Sequence, residues 1–139
     1  SHWWRDIFWW ATSYWWRDLK YSYHRARYGW SRRDCWNIDH YIAKVLGEML
    51  EELSIHHNHG GPFGYPNPSP EGLNAPTDFA QWDADLKRWS KALLHYTKDD
   101  YYELYGSNYA AWNEDEKARS AALHRTLREI EPWFESLWD

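Results

Sequence analysis

The sequence predicts an all-α fold, an irregular bundle of four to five helices with one long loop rich in glycine and proline. Apolar residues recur at intervals of three and four in several segments, which is the spacing of one face of an α-helix. No segment shows the alternation of apolar and polar residues that a half-buried strand requires. The chain has 139 residues, the size of a single domain with a substantial core.

The first helix is predicted over residues 1–28, a stretch without glycine or proline that ends before Gly29. At about 100° per residue, its tryptophans project on all sides of the axis. A helix that is apolar all round is usually buried on several sides, so we expect a central or dimer-forming helix. The alternatives are a helix lying on a membrane surface and a helix whose rings line a ligand pocket. The six tryptophans are Trp3, Trp4, Trp9, Trp10, Trp15 and Trp16.

Residues 31–55 are predicted to form a short turn followed by an amphipathic helix. Ser31 and Asp34 have the spacing of a capping box, and Gly29 suits the left-handed conformation that ends a helix. Asn37 or Asp39 can cap the main helix. Its apolar stripe is expected to consist of Ile38, Tyr41, Ile42, Val45, Leu46, Met49, Leu50 and Leu53.

Residues 56–76 are predicted to be a loop, because five prolines and four glycines forbid regular structure over most of it. A third helix is predicted over 77–105, with an interruption allowed at Lys98–Asp100. The last helices are predicted over 113–138, beginning at Asn113 and broken at Pro132. Their apolar residues are Ala118, Ala122 or Leu123, Leu127 and Ile130, followed by an aromatic cluster of Trp133, Phe134, Leu137 and Trp138.

The charge of the chain is unevenly distributed. The net charge of −5 argues against general nucleic-acid binding. Residues 1–33 hold seven Arg or Lys and two Asp, whereas most of the acidic residues follow them. This asymmetry indicates either an anion-binding face or two halves that attract each other, within one chain or across a dimer.

Other features exclude whole classes of protein. A single cysteine, Cys35, rules out a disulfide within the chain and suits a reducing compartment. The sequence shows neither a signal peptide nor an apolar segment long enough to cross a membrane, so no membrane partner is expected. We also expect no catalytic residue, because no nucleophile elbow, phosphate-binding glycine loop or other catalytic motif is present.

The strongest candidate ligand site combines arginines with aromatic residues around the end of the first helix. Arginine presents a planar fork of donors that suits phosphate, and aromatic rings can stack on nucleobases. The free N–H groups of the turn after Ser31 could add an anion site. We therefore predict a pocket for a small phosphorylated nucleotide, the alternative being arginines that pair with nearby carboxylates. The predicted site consists of Tyr21, His24, Arg25, Arg27, Tyr28, Trp30, Arg32 and Arg33.

A second candidate is a metal site in the loop. His56, His57 and His59 could bind zinc or a similar divalent ion, since imidazole is a good ligand for such metals. Neither HExxH nor HxxEH is present, so a solvated loop without any cofactor is the alternative. A metal-dependent hydrolase that uses these histidines is the corresponding functional hypothesis.

The run from Arg25 to Ala43, RARYGWSRRDCWNIDHYIA, resembles short proteins encoded by tailed bacteriophages, with the approximate pattern R-x-R-x-G-x-S-x-x-D-x-W-x-[LI]-D-x-x-[LI]-A. A helix, a Gly-Pro loop at Gly60–Pro62 and a helix opening near Trp82 follow in the same order. The resemblance covers about residues 25–95. It implies a phage protein acting in the cytoplasm of the infected bacterium, and it supplies no catalytic residue.

Together these features predict a non-catalytic binding protein that forms a homo-oligomer through its first helix. In the sharpest version, it is a counter-defence protein that sequesters a nucleotide signal of bacterial immunity. The second hypothesis is a protein-interaction module that inhibits or adapts a host or virion protein. That hypothesis predicts an exposed aromatic surface, whereas nucleotide capture predicts a concave pocket.

Overall fold

The computed structural model describes residues 3–55 and 79–137, and every regular element in these two ranges is a helix. The all-α prediction is therefore confirmed. None of the described helices is both long enough and apolar enough to span a bilayer. The elements are α1 (Trp3–Tyr28), a first 3-10 helix (Arg32–Asn37), α2 (Ile38–Ile55), α3 (Phe79–Tyr96), α4 (Tyr101–Tyr105), α5 (Tyr109–Ile130) and a second 3-10 helix (Glu131–Ser136).

The chain divides into two compact units, Ser1–Tyr41 and Ile42–Asp139. In the first unit, α1 ends where the sequence predicts. Gly29 has a φ of 80°, and its N–H donates to the carbonyl oxygen of Arg25 at 2.8 Å. Only glycine adopts this conformation without steric cost, so Gly29 ends the helix.

The expectation that α1 is a central helix is wrong for the described residues, whereas the dimer-forming alternative stays a prediction. None of its 26 residues is buried, and its tryptophans are between 59% and 75% exposed. Local spacing shows that tryptophans surround the axis, but it does not show whether other elements cover them.

In the second unit, α2 buries a different face from the one its large apolar residues predict. Its buried residues are Ala43, Gly47, Leu50 and Ser54. By contrast, Ile42 and Met49 of the predicted stripe are 53% and 64% exposed. Ile38, at the start of the helix, is also more than half exposed. The predicted stripe is therefore wrong for these three residues, although Leu50 is buried and Leu46 and Leu53 pack at the edge of the core.

The reason is a close approach between α2 and α3 at Gly47. A Cβ atom on Gly47 would lie 2.9 Å from Cγ of Leu94, and the Ser90 hydroxyl donates to the Gly47 carbonyl oxygen at 2.7 Å. Small residues allow this contact, and they determine which face of α2 is buried.

The core of this unit lies between α3 and α5, with α2 beside them. Trp82 packs edge-to-face on Trp89, with ring centroids 5.8 Å apart, and on Trp133 at 6.3 Å. Such tilted contacts are the favoured arrangement of aromatic pairs. Part of the predicted closing cluster thus joins the core, whereas Phe134 is exposed and Trp138 lies outside the described residues. The buried apolar residues are Ala43, Leu50, Trp82, Leu86, Trp89, Leu93, Leu123 and Ile130.

Two predicted helix boundaries change. The helix predicted over 77–105 is divided into α3 and α4, with the break at the interruption that Lys98–Asp100 suggested. The helix predicted from Asn113 begins at Tyr109, because Asn108 accepts a hydrogen bond from the N–H of Ala111 at 3.3 Å.

The buried face of α5 also differs from the prediction. It consists of Arg119, Leu123, Thr126 and Ile130, whereas Ala118 and Leu127 are exposed. The predicted break at Pro132 agrees with the change from α5 to the second 3-10 helix, in which proline lies near the start.

Candidate functional site

The predicted arginine–aromatic cluster lies wholly within the first unit, on the last turns of α1 and on the segment that follows Gly29. The turn at Gly29 brings the first 3-10 helix back beside α1. The hydroxyl of Tyr41 donates to the Gly29 carbonyl oxygen and holds this turn. The structure therefore brings together most of the residues that the sequence singled out.

Arg25 forms a bidentate ion pair with Asp34. The Nε atom of Arg25 lies 3.1 Å from Oδ2 of Asp34, and its Nη2 atom contacts Oδ1. The same carboxylate accepts from the backbone N–H of Ser31 at 2.8 Å and from its hydroxyl at 3.3 Å. Hydrogen bonds from the Arg25 guanidinium, followed by those from Ser31, hold the pKa of Asp34 below its ordinary value. The carboxylate of Asp34 thus occupies the position that the sequence predicted for a ligand anion.

Arg33 also pairs with a carboxylate, and its partner lies on α1. Its Nη2 contacts Oδ1 of Asp18, and its guanidinium lies 4.9 Å from the ring centroid of Tyr21. Both ends of the ion pair are about half exposed, so it contributes little to stability. The pair links the first 3-10 helix to α1.

The aromatic residues of the cluster pack on one another. His24 lies 4.5 Å from the ring of Tyr28 and 5.0 Å from that of Trp30, measured between centroids. Nδ1 of His24 is 2.7 Å from the Trp30 carbonyl oxygen, so this nitrogen carries the proton in the bond. The guanidinium of Arg27 lies 5.5 Å from the Tyr28 ring. These contacts leave Tyr28 and Trp30 about half exposed.

Arg32 differs from Arg25 and Arg33. It is exposed, and no ion pair or hydrogen bond of its side chain is found within residues 3–55 and 79–137. It is therefore the arginine of the cluster that is best placed to bind a ligand.

The largest exposed apolar surface of the first unit is that of α1. Apart from Ala11, every apolar residue of its first 17 positions is a large side chain that is at least 45% exposed. Two arginines, Arg5 and Arg17, lie among these rings, and the side chain of Arg17 packs 4.4 Å from the centroid of Tyr14. We call this surface the aromatic surface of α1; its large residues are Trp3, Trp4, Ile7, Phe8, Trp9, Trp10, Tyr14, Trp15, Trp16 and Leu19.

The second unit holds a charged network that sequence reasoning missed. Arg119 is 3% exposed and binds Asp115 at 2.9 Å and Asp100 at 2.8 Å. It also donates to the carbonyl oxygens of His95 and Lys98 and packs on the Tyr101 ring. The four-residue spacing of Asp115 and Arg119 on α5 was a signal for this pair. Since the Arg119 side chain is buried and bonded to residues of this unit on every side, we assign the network a structural role.

A second network links α3 to α5. Glu129 accepts from Nη1 of Arg88 and from the indole N–H of Trp89, the latter at 2.9 Å. The Arg88 guanidinium, followed by the Trp89 indole, lowers the pKa of Glu129. These contacts also join core elements and leave no site for a substrate.

An open groove in the second unit is poorly suited to an anionic nucleotide. It is lined by apolar side chains, chiefly Leu46, Leu127, Ile130 and Phe134, with the carboxylates of Glu131 and Glu135 beside them. Two carboxylates in a groove repel a phosphate.

The predicted metal ligands His56, His57 and His59 lie outside the described residues, so zinc binding by that loop stays a prediction. No cluster of three or more His, Cys, Asp or Glu residues suited to a metal occurs in the described part of the chain. Comparison with models of known protein families, with curated proteins and with solved structures gave no significant match for this chain.

Proposed function

We propose that the chain is a non-catalytic binding protein of a tailed bacteriophage, and that it binds a host or virion protein through the aromatic surface of α1. The observation that carries this proposal is that α1 has no buried residue although it holds six tryptophans. A continuous exposed apolar surface of this size marks an interaction site in most soluble proteins. The cytoplasm of the infected bacterium is the compartment in which we expect the interaction.

The composition of the surface favours a protein partner over a small molecule. Tryptophan, tyrosine and arginine are the residues that most often carry the binding energy of protein interfaces. On α1 these residues project from a convex helix, whereas small ligands usually bind in concave pockets. Arg5 and Arg17 lie among the rings together with Asp6 and Asp18, so the partner surface is expected to be apolar with charges of both signs around it.

The test is capture of a partner by variants that differ in one part of this surface. Trp9 and Trp10 are 75% and 63% exposed, so replacing both with glutamine should leave the helix intact. We expect the immobilised wild-type chain to retain a protein from the infected bacterium that the Trp9→Gln/Trp10→Gln variant does not retain. The partner is then identified by mass spectrometry, purified and titrated, and at least ~10-fold weaker binding to the variant is expected.

A matched control removes an exposed ring from the second unit. Tyr102 is 72% exposed on α4, so Tyr102→Gln should retain the same protein as the wild-type chain. Equal retention by all three proteins would show that α1 is not the binding surface.

Nucleotide capture is the second candidate, and it is favoured by Arg32, which is exposed and has no ion pair among the described residues. In this case the arginine–aromatic cluster, and not the aromatic surface of α1, would bind the ligand. Arg32 would pair with a phosphate, and Trp30 or Tyr28 would stack on the base. A panel of cyclic and linear nucleotides should then raise the melting temperature, and Arg32→Ala should abolish that rise without changing the melting of the free protein. A ligand recovered intact after denaturation would indicate capture; no shift with any nucleotide would reject this candidate.

A further inference from the structure

One face of α1 carries seven residues that are all exposed. Counted from Trp4, they follow at offsets of 4, 7, 11, 15, 18 and 22 residues, which is the spacing of a single helix face. Four of the seven are bulky and three are small: two bulky residues begin the face, a small one precedes the bulky pair at its middle, and two small residues end it. We call this face the seam; its members are Trp4, Phe8, Ala11, Trp15, Leu19, Ser22 and Ala26.

The seam lies away from the part of α1 that the chain already uses. Asp18, Tyr21 and Arg25 receive the contacts of the first 3-10 helix and its neighbours. At about 100° per residue, Asp18 projects about 60°, Arg25 about 80° and Tyr21 about 120° from the middle of the seam, all on one side. These contacts flank the seam and leave its seven members exposed to a second helix.

We propose that the seam binds the seam of a second copy of this chain in an antiparallel arrangement, with the two-fold axis at Trp15. In this register Trp4 faces the partner's Ala26, Phe8 faces the partner's Ser22, and Ala11 faces the partner's Leu19. By symmetry, each of these pairs occurs twice. Every bulky side chain except Trp15 thus meets a small one, which is how helices pack without gaps or overlap.

A parallel arrangement lacks this complementarity. It would place Trp4 against Trp4 and Phe8 against Phe8, and it would leave Ser22 facing Ser22 and Ala26 facing Ala26. Bulky pairs would force the helices apart at one end while small pairs left a void at the other. The order of large and small residues along the seam therefore selects the antiparallel dimer.

The residues beside the seam are compatible with the same register. Arg5 and Tyr23 flank it on one side, and the antiparallel register brings Arg5 near the ring of the partner's Tyr23, where a cation–π contact is favourable. The seam extends over 22 residue steps, or about 33 Å of helix. Covering Trp4, Phe8, Trp15 and Leu19 in both copies removes several hundred Å² of apolar surface per copy, within the range of small specific interfaces.

The dimer would leave the opposite face of α1 accessible, because Trp9 and Trp10 project away from the seam. The inference therefore does not rest on the proposed function, and each can fail alone. Trp9→Gln/Trp10→Gln tests the binding of another protein, and substitutions in the seam test self-association.

Sedimentation equilibrium of the full chain tests the dimer. The wild-type protein, 17.0 kDa per copy, is expected to sediment at twice that mass. Trp15→Glu places two carboxylates against each other at the two-fold axis, so self-association should weaken by ~100-fold or more. Circular dichroism verifies that the variant remains helical, and Trp9→Gln/Trp10→Gln should sediment as the wild-type chain does.

Two results would overturn the dimer. If the wild-type chain is a monomer at its highest soluble concentration, the seam does not bind a second copy of this chain. A Trp15→Glu variant that still sediments as a dimer would place the interface elsewhere in the chain.

Disulfide cross-linking tests the direction of the helices. The exposed Cys35 is first replaced by serine, and Phe8→Cys and Ser22→Cys are then introduced into separate chains. Only the antiparallel register brings residue 8 of one chain near residue 22 of the other, within the ~4.4–6.8 Å between Cα atoms that a disulfide bridges. The mixture should cross-link and neither chain alone should do so; rapid cross-linking of Phe8→Cys with itself would indicate a parallel dimer and overturn the proposal.

Discussion

Nη2 of Arg119 lies 2.9 Å from Oδ2 of Asp115, one helical turn earlier on α5. Its Nε also donates to Asp115, and its Nη1 reaches Asp100 and the carbonyl oxygens of His95 and Lys98, at the break between α3 and α4. A helix end leaves carbonyl groups without partners, and burial of such groups is costly. The Arg119 side chain satisfies them, so one residue of α5 stabilises the break between two other helices.

Replacement of Arg119 should therefore destabilise the second unit strongly. Arg119→Met retains most of the side-chain volume but removes the ion pairs with Asp115 and Asp100 and the hydrogen bonds to two carbonyl groups. We expect the free energy of unfolding to fall by about 3 kcal/mol, measured by urea titration followed by circular dichroism. Arg125→Met on an exposed turn of the same helix is the control and should change it by less than about 0.5 kcal/mol. Equal effects of the two substitutions would contradict the assigned role.

The acid sensitivity of the protein should follow from its paired carboxylates. Arginine partners lower the pKa of Asp34, Asp115 and Glu129 in the folded chain. Between the ordinary and the folded pKa, the unfolded chain binds more protons, so stability is lost as pH falls. We expect full stability above pH about 5 and a steady loss below the ordinary values near 4, measured as urea midpoints at each pH.

A single substitution tests whether these carboxylates cause the loss of stability at low pH. Asp115→Asn removes one carboxylate whose folded pKa is low, so its stability should depend less steeply on pH below about 5 than that of the wild-type chain. Parallel pH profiles for the two proteins would show that Asp115 is not involved.

The contact between α2 and α3 predicts that Gly47 tolerates no large side chain. Gly47→Leu would force its added atoms against Leu94 and Leu93, because even a Cβ lies 2.9 Å from Cγ of Leu94 and 3.2 Å from Cβ of Leu93. We expect a loss of about 1–3 kcal/mol in the free energy of unfolding. Adding Leu94→Ala to the variant should recover part of that loss, and purely additive effects would argue against the contact.

The position at which α5 begins can be tested by replacing each of two asparagines with alanine. Asn108→Ala removes the hydrogen bond to the N–H of Ala111 and should cost about 1 kcal/mol, measured by thermal denaturation. Asn113→Ala lies inside the helix, where alanine is the better helix former, and should be neutral or slightly stabilising. The opposite order of effects would place the start of the helix at Asn113, as the sequence suggested.

Much of the candidate site could be predicted from sequence. The residues that form it follow one another closely, and the turn at Gly29 is encoded locally by Gly29, Ser31 and Asp34. The partners of the arginines were not predicted: the sequence left a ligand phosphate and nearby carboxylates as alternatives, and in the structure Asp34 pairs with Arg25. The choice among four nearby arginines depends on side-chain geometry that residue spacing does not specify.

The sequence by itself determined the helices of this protein, the end of α1 at Gly29 and the capping of the next turn by Asp34. These features arise from hydrogen bonds between residues a few positions apart, so local composition is sufficient. Only the tertiary structure decided that α2 buries Gly47, that α5 buries Arg119 and that α1 buries nothing. The first two outcomes depend on contacts between residues distant in sequence, such as the bond from Ser90 to Gly47, and the third on the lack of such contacts at α1 among the described residues. Neither the spacing nor the size of neighbouring residues reveals them.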